Sequence, residues 1–435
     1  MLVHGWGRYP IVESDCQAPG DKHSLKNTLA NREPGAGLIA RGAGRSYGDS
    51  AIAESILETR YLDNFIEFDH VNGLLKCEAG VGIADVLKTI VPKGWFLPVV
   101  PGTRFPTIGG AVAADVHGKN HHLDGCFSEF VLEFDLLTAG GEIFSCSRSN
   151  NPEIFRATCG GMGLTGIILS ITLQLKQIPS TYLRESTLVA SNLEQVFELF
   201  EEHSNVPYSV AWLDCVATNA RQGRSIVSLG EFENDGTHQD KPATNISIPF
   251  HTPGLLLNRH SISAFNMAYF NLKKHGKNNK QVHFNDYFFP LDGIKNWNRL
   301  YGKKGLIQYQ FLLPLETAKE GIKHVLSRLK SSGNFSFLSV LKKFGKANEN
   351  WLSFPFPGYT LTLDFKFQER LLPFLDELDK VIIDHGGRLY LAKDSRMSKE
   401  TFQKCYPRWQ DFVEVKQLVD PDRIFVSHQS SRLGL

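Results

Sequence analysis

Gly42, Gly44 and Gly48 punctuate the stretch from Leu38 to Asp49 (LIARGAGRSYGD), with Arg41 and Arg45 set between them. Glycine lets a backbone take left-handed angles and come close to a ligand. Successive N–H groups in such a turn form a nest for phosphate oxygens, and nearby arginines add charge-assisted donors. The pattern reads as a diphosphate cradle and so suggests a nucleotide-derived cofactor. It is not a Walker loop, because Arg45-Ser46 stands where Lys-Ser/Thr is needed. Nor is it a dinucleotide fingerprint, because Tyr47 occupies the position of the third glycine.

Two further glycine-rich runs follow. From Pro101 to His122 the chain reads PGTRFPTIGGAVAADVHGKNHH, and from Cys159 to Gly166 it reads CGGMGLTG. Thr107 has the character of an N-cap for a helix of small residues beginning at Ile108. The polar run from His117 to His122 is hard to explain as core. Each run lies beside an apolar segment, the third one leading into the strand-like stretch from Ile167 to Leu173. Three such turns in the first 170 residues imply one extended cofactor wrapped by several loops. A metal centre is not expected, since no further His/Asp/Glu cluster stands at ligand spacing.

Other side chains suited to chemistry lie further along. Lys393 sits in YLAKD (390–394), where strand alternation would put Tyr390 and Ala392 on one face and Lys393 on the other unless a turn intervenes. Gln308 and Gln310 share one face of a strand, and buried glutamines need partners such as sugar hydroxyls.

These residues must be positioned by regular elements. Hairpins are expected at Phe65–Phe68 with Leu74–Cys77, and at Phe130–Leu137 with Ile143–Cys146. Ile83 to Val91 has helical spacing. After Pro179-Ser180 the composition shifts, with strands expected at 305–313 and 359–367 and helices at 192–203, 317–332 and 368–385. The fold class is α+β. The domains expected are 1–181 for the cofactor, 182–387 for the substrate (an antiparallel sheet covered by helices on one face) and 388–435 returning to the first domain. The stretches 231–244 and 273–281 have the composition of mobile loops, of the kind that often serve as lids.

In order, RGAGRSYGD, PGTRFPTIGGAVAADVHGKNHH and TCGGMGLTGI resemble the FAD-binding fold of the vanillyl-alcohol-oxidase (PCMH-type) superfamily. Within it the chain is similar to the decaprenylphosphoryl-ribose oxidase subfamily, from Gly5 to Phe425. The runs HGKNHH and GGRLYLAKDSR (386–396) are specific to that subfamily. The resemblance implies FAD held by Trp6, by Arg41, Gly42, Ala43, Gly44, Arg45, Ser46, Tyr47 and Gly48, and by Pro101, Gly102, Thr103, Thr107, Gly109, Gly110 and Ala114. His117, Gly118, Gly163, Gly166, Ile167, Tyr390 and Ala392 complete that set. It implies a sugar pocket of Lys119, Gln308, Gln310, Lys342, Phe344, Thr360, Thr362 and Lys393, with Lys342 facing a substrate phosphate. Lys393, His117, Lys119 and Tyr47 are the catalytic candidates, and the proton acceptor is left open among Lys393, Lys119, Tyr47 and solvent.

Two departures matter. Many superfamily members carry, after the Gly-x-Gly of the first loop, a histidine that binds FAD covalently; Arg45 stands there, so non-covalent FAD is expected. Thr360 and Thr362 replace the Asn and Cys of the best-known subfamily members, which bears on substrate identity. The implied reaction is oxidation of a polyprenylphosphoryl-β-D-ribose at its 2′-OH, as the first half of an epimerisation in cell-wall precursor synthesis. An NAD(P)H-dependent short-chain reductase would complete it, and a quinone or oxygen would take the electrons. The alternatives are an oxidase of free alditols or aldonolactones, or a non-catalytic nucleotide- or glycan-binding protein.

Bulk properties are consistent with a soluble globular chain. Of its 435 residues 42% are hydrophobic and 21% charged, and the net charge of +1 gives no field to recruit nucleic acid. The seven cysteines are scattered with no C-x-x-C pair, against a disulfide framework. The N-terminus has no apolar core of a signal peptide and no stretch suits a membrane span, so a cytoplasmic or peripheral membrane location is expected. Lys273, Lys274, Lys277 and Lys280, among Tyr269, Phe270, Leu272 and Phe284, are a candidate for peripheral membrane contact.

Overall fold

A computed structural model describes residues 1–32, 37–239, 241, 246–252 and 257–435. The N-terminal part is built on two sheets. A parallel three-stranded sheet sets Ser55–Glu58 between Asp15–Gln17 and Leu38–Arg41. A five-stranded antiparallel sheet runs in the order Ile143–Ser147, Val131–Leu137, Ile167–Gln174, Leu74–Glu78, Phe65–Asp69. Its central strand, IILSITLQ, is buried over most of its length because it has neighbours on both edges. The helix Ile83–Ile90 buries Ile83, Val86, Leu87 and Ile90, the i, i+3, i+4, i+7 stripe of a core-facing helix. Both hairpins and this helix fall where periodicity and turn residues place them.

An eight-stranded antiparallel sheet follows. Its order is Asn279–His283, Tyr182–Ala190, Ser225–Phe232, Tyr208–Leu213, Ser339–Phe344, Gly358–Lys366, Leu306–Pro314, Arg388–Leu389. Alternation along Gly358–Lys366 sends Tyr359 and Leu361 to one face and Thr360, Thr362 and Asp364 to the other. Tyr359 packs on Phe197 and Phe200 of the helix Leu193–Glu202. Leu315–Ser332 and Leu371–Asp384 lie on the same side as that helix.

Helices do not cover one face alone, as the sequence suggested. Arg259–Lys274 packs on the opposite side, where its Tyr269 ring lies 4.9 Å from Trp212. Trp212 pairs with Val340, which faces the cavity described below. The two stretches expected to be mobile begin in regular structure. Glu231 and Phe232 end a paired strand; Lys273 and Lys274 end a helix; Asn279–His283 is an edge strand. The part of the first stretch at 240 and 242–244 lies outside the described residues.

Beyond 388 the chain returns to the first sheets. The Leu38 N–H donates to the Ile424 carbonyl at 2.8 Å, and the Val426 N–H to the Leu38 carbonyl at 2.9 Å. Arg432 spans from Asp49 (2.8 Å) to Asp394 (3.0 Å), so the C-terminal helix His428–Leu433 clamps the first glycine loop against the Lys393 segment.

Candidate functional site

The three glycine loops converge on one cavity of about 550 Å³ between the N-terminal sheets and the inner face of the eight-stranded sheet. That volume is in the range of small-molecule and cofactor sites. The strand Leu38–Arg41 delivers the first loop. Among the described residues, no backbone N–H from Gly42 to Ser46 is engaged by another group of the chain, which leaves a run of free donors. A Cβ on Gly42 would overlap Thr107 Oγ1, so glycine is needed for the first two loops to touch. Thr107 caps the helix Ile108–Ala113, accepting from the Gly110 N–H at 3.1 Å. Arg45 lies between the rings of Trp6 (4.6 Å) and Phe105 (4.8 Å), and its Nε is buried without a partner among the described residues. This donor-rich, glycine-lined channel fits a diphosphate-bearing cofactor.

The inner sheet face forms the opposite wall. Register aligns Gln310, Thr362 and Val340 in one row, and Gln308 with Asp364 in the next; all but Asp364 line the cavity. Thr360 pairs with Lys342, and of these two only Lys342 lines it. Gln310 Nε2 lies 3.1 Å from His117 Nε2 and 3.2 Å from Thr360 Oγ1. His117 packs against Phe344 (4.8 Å) and Tyr390 (5.0 Å), and burial holds its basicity well below the usual range, aided by Lys342, His121 and Lys393.

Lys393 reaches this wall because the Arg388–Leu389 strand stops short of it. Leu391–Lys393 is a tight 3₁₀ turn closed by the Lys393 N–H to the Tyr390 carbonyl (3.0 Å), so Tyr390, Ala392 and Lys393 all border the cavity. Strand alternation would have separated them. The ammonium stands 3.9 Å from the centre of the Tyr47 ring. Burial pushes Lys393 down to about 7, reinforced by Lys342 and opposed by the Asp364 carboxylate. Burial likewise pushes Lys342 down to about 8.

Six of the candidate residues do not line the cavity. The Arg41 guanidinium is spent on the carbonyls of Ala51 (2.9 Å) and His4 (2.7 Å), closing the loop from behind. A Cβ on Gly48 would run into the Asp394 carbonyl, so this glycine permits close packing of the loop on the Lys393 segment. Gly118 is pressed against Val100 and Asn120. Lys119 turns away, donating to the Tyr287 carbonyl and lying over the Tyr287 ring at 4.2 Å. Phe344 and Thr360 stand behind His117 and Gln310.

Asp364 is a residue that sequence reasoning passed over. It is buried, accepting from Gln308 Nε2 at 2.6 Å and from the Tyr301 hydroxyl at 3.3 Å. Burial raises its carboxyl to about 6, against the pull of Gln308 and Lys393. The signal was a charged residue on the same strand face as Thr362, in LTLDF. Because this carboxylate is what holds Lys393 up, Asp364→Asn should move the Lys393 titration below 7. The limb of the pH profile of flavin reduction near neutrality should shift to lower pH; an unmoved limb would separate the two groups. Asp292, Lys295 and Trp297 add a further part of the cavity wall, which periodicity had not connected to the site.

A glycine-loop nest facing a polar wall can hold an extended diphosphate cofactor against a small polar substrate, and the family matches make that cofactor FAD and the protein a flavin-dependent oxidoreductase. The FAD binding domain model matches residues 18–147, and the D-arabinono-1,4-lactone oxidase model matches residues 313–433. Decaprenylphosphoryl-beta-D-ribose oxidase of Mycolicibacterium smegmatis is 35% identical over 449 residues, covering 99% of this chain and 97% of that protein. L-gulonolactone oxidase of Bos taurus is 23% identical over 98% of both chains. L-gulono-1,4-lactone dehydrogenase of Mycobacterium tuberculosis is 20% identical, again over 98% of both. The chain belongs to the decaprenylphosphoryl-β-D-ribose oxidase family, within the FAD-linked oxidases.

Proposed function

We propose that the protein oxidises the 2′-hydroxyl of a polyprenylphosphoryl-β-D-ribose to the 2′-ketone. The observation that carries this reading is Lys393, a buried amine tuned to about 7 on a wall shared with Gln310, Gln308 and Lys342. A proton acceptor works best with a proton affinity near the operating pH. Tyr47 is a poor base, since burial raises its hydroxyl well above the ordinary value. Lys119 is engaged by the Tyr287 carbonyl. Lys393 therefore takes the hydroxyl proton, and its ammonium then supplies positive charge in a dry site, where charge is felt strongly. Lys342, which has no carboxylate partner among the described residues, is placed for a substrate phosphate. When bound, FAD supplies the hydride acceptor.

Deuterium at C2′ of a prenylphosphoryl-ribose should slow flavin reduction, and deuterium at C1′ or C3′ should not. A C1′ or C3′ effect would move the oxidised carbon. Non-covalent FAD is part of the proposal, since Arg45 offers no nucleophile to the cofactor. Acid precipitation should leave yellow flavin in the supernatant, and flavin retained in the pellet would show a covalent link. The ketone would pass to an NAD(P)H-dependent short-chain reductase.

A lipid-linked substrate has to be met at a surface. No described helix is long and apolar enough to cross a membrane. The sequence from Lys241 to Asn285 contains no acidic residue. Of the patch expected there, Phe270 and Phe284 are buried and Lys280 is paired with Glu185, while Leu272 is exposed, as are Phe265, Met267, Lys274 and Lys277. The strand Ile246–Ser247 pairs with Ile294–Lys295 of the cavity wall. This basic and apolar surface is suited to peripheral contact with an anionic leaflet.

The lactone-oxidase match over 313–433 favours, as a second reading, oxidation of a free aldonolactone or alditol.

A further inference from the structure

The hydrogen bonds behind Gln310 can be ordered from one end. The Phe311 carbonyl can only accept, so the Thr360 hydroxyl, 2.8 Å away, donates to it. Thr360 Oγ1 has then used its single proton and must accept from Gln310 at 3.2 Å. That fixes which end of the Gln310 amide is NH₂, an assignment that rests on the network. The same nitrogen lies 3.1 Å from His117 Nε2, which must accept in turn. Both protons of the amide are thereby consumed. Gln310 Oε1 is its only remaining polar atom, and Gln310 forms part of the cavity wall. His117 Nε2 carries no proton, so the neutral ring holds its proton on Nδ1.

We infer that Thr360 and Gln310 are positioning residues that lock His117 as its Nδ1–H tautomer and leave Gln310 presenting only an acceptor to the cavity. Gln310 Oε1 recognises a ligand O–H and has nothing to donate to a carbonyl, whereas Lys342 and Lys393 are donors on the same wall. With the reacting hydroxyl's proton directed to Lys393, this acceptor selects a second hydroxyl of the sugar. An amide free to rotate would serve a carbonyl there as well. The charged and titratable groups around His117 agree with a neutral ring: Lys342 on the sheet, His121 on the following turn, and Lys393 and Tyr390 on the returning segment. Lys342 and Lys393 disfavour a third cation among them when charged. The second-hydroxyl consequence rests on the proposed oxidation; the tautomer does not.

The test is ¹⁵N NMR of histidine-labelled, FAD-loaded protein, with the His117 signals assigned by their loss in His117→Gln. The expected result is a pyridine-type Nε2 and a protonated Nδ1, unchanged from about pH 6 to 8 where an ordinary histidine titrates. A protonated Nε2, or an imidazolium within that range, would overturn the inference. Thr360→Val should release the amide, so that the pyridine-type signal moves at least in part to Nδ1. In the same variant KM for a prenylphosphoryl-ribose should rise about two- to tenfold, the scale of one neutral hydrogen bond, with kcat held. Thr360→Ser should restore both. A Thr360→Val spectrum identical to the wild type would remove Thr360 from the chain of control. Tautomer signals as expected with no response to the sugar would sink the substrate assignment and leave the tautomer standing.

Discussion

Lys393→Ala should keep FAD bound and lose most of its rate of flavin reduction. One preorganised group of this kind contributes about 2–4 kcal/mol at the transition state, or about 30- to 1,000-fold in rate. FAD retention is expected because the nest and the Arg45 channel belong to other segments of the chain. The pH dependence has a definite sign. Lys393 titrates near 7 when folded, below the ordinary lysine value, so the folded state gives up a proton that the unfolded chain keeps between about 7 and 10.4. Lys393 therefore makes stability rise with pH across that window, and its burial penalty is complete below it. Lys393→Met should accordingly flatten the rise in stability above neutrality. Stopped-flow reduction and urea melts at several pH values check both statements. A Lys393→Ala variant that is reduced at the wild-type rate would remove the residue from the chemistry.

Asp420→Ala should be the most destabilising single change outside the site. Asp420 is fully buried and accepts from Lys416 Nζ (2.6 Å) and from the N–H groups of Ile424 (2.7 Å) and Phe425 (2.9 Å). Its partner Lys416 also donates to the carbonyls of Leu164 (3.1 Å) and Phe425 (2.9 Å), joining the C-terminal segment to the third glycine loop. Removing one member of a buried pair leaves an uncompensated charge and costs about 3–5 kcal/mol. A domain holds only about 5–15 kcal/mol in all. The double change Asp420→Leu with Lys416→Met should recover part of the loss, since it removes the orphaned charge but not the two orphaned backbone donors. Urea unfolding of the single and double variants measures this. An unshifted midpoint for Asp420→Ala would mean that Lys416 finds another partner.

The parts of the fold that were legible in the sequence are those set by local chemistry. Asn72-Gly73 and Gly140-Gly141 mark their hairpins, and Thr107 caps its helix, because turn and cap preferences act over a few residues. Gln308 and Gln310 fall on one face because strand alternation is strict. The same rule separates Lys393 from Tyr390 unless a turn intervenes, and one does: a 3₁₀ turn that nothing in YLAKD announces forms where the Tyr47 backbone N–H donates to the Ala392 carbonyl (3.0 Å). Arg41 and Lys119 have the residue type of ligand-binding groups, yet tertiary neighbours distant in sequence take their charges: His4 for one, Tyr287 for the other. Asp364 went unseen for the converse reason. A carboxylate in an apolar strand has meaning only when Gln308, Tyr301 and Lys393 are brought to it, and those contacts span 29 to 63 residues. Composition made 273–281 look loose, but the strand Tyr182–Ala190 pairs with Asn279–His283 and Lys280 meets Glu185 at 2.8 Å.

Anaerobic stopped-flow reduction of the FAD-loaded protein tests the central claim most directly, comparing a short-chain prenylphosphoryl-β-D-ribose with ribitol and L-gulono-1,4-lactone. Flavin absorbance should bleach with the lipid-linked sugar and persist with the other two. Bleaching by ribitol or the lactone, with none by the prenylphosphoryl sugar, would contradict the account.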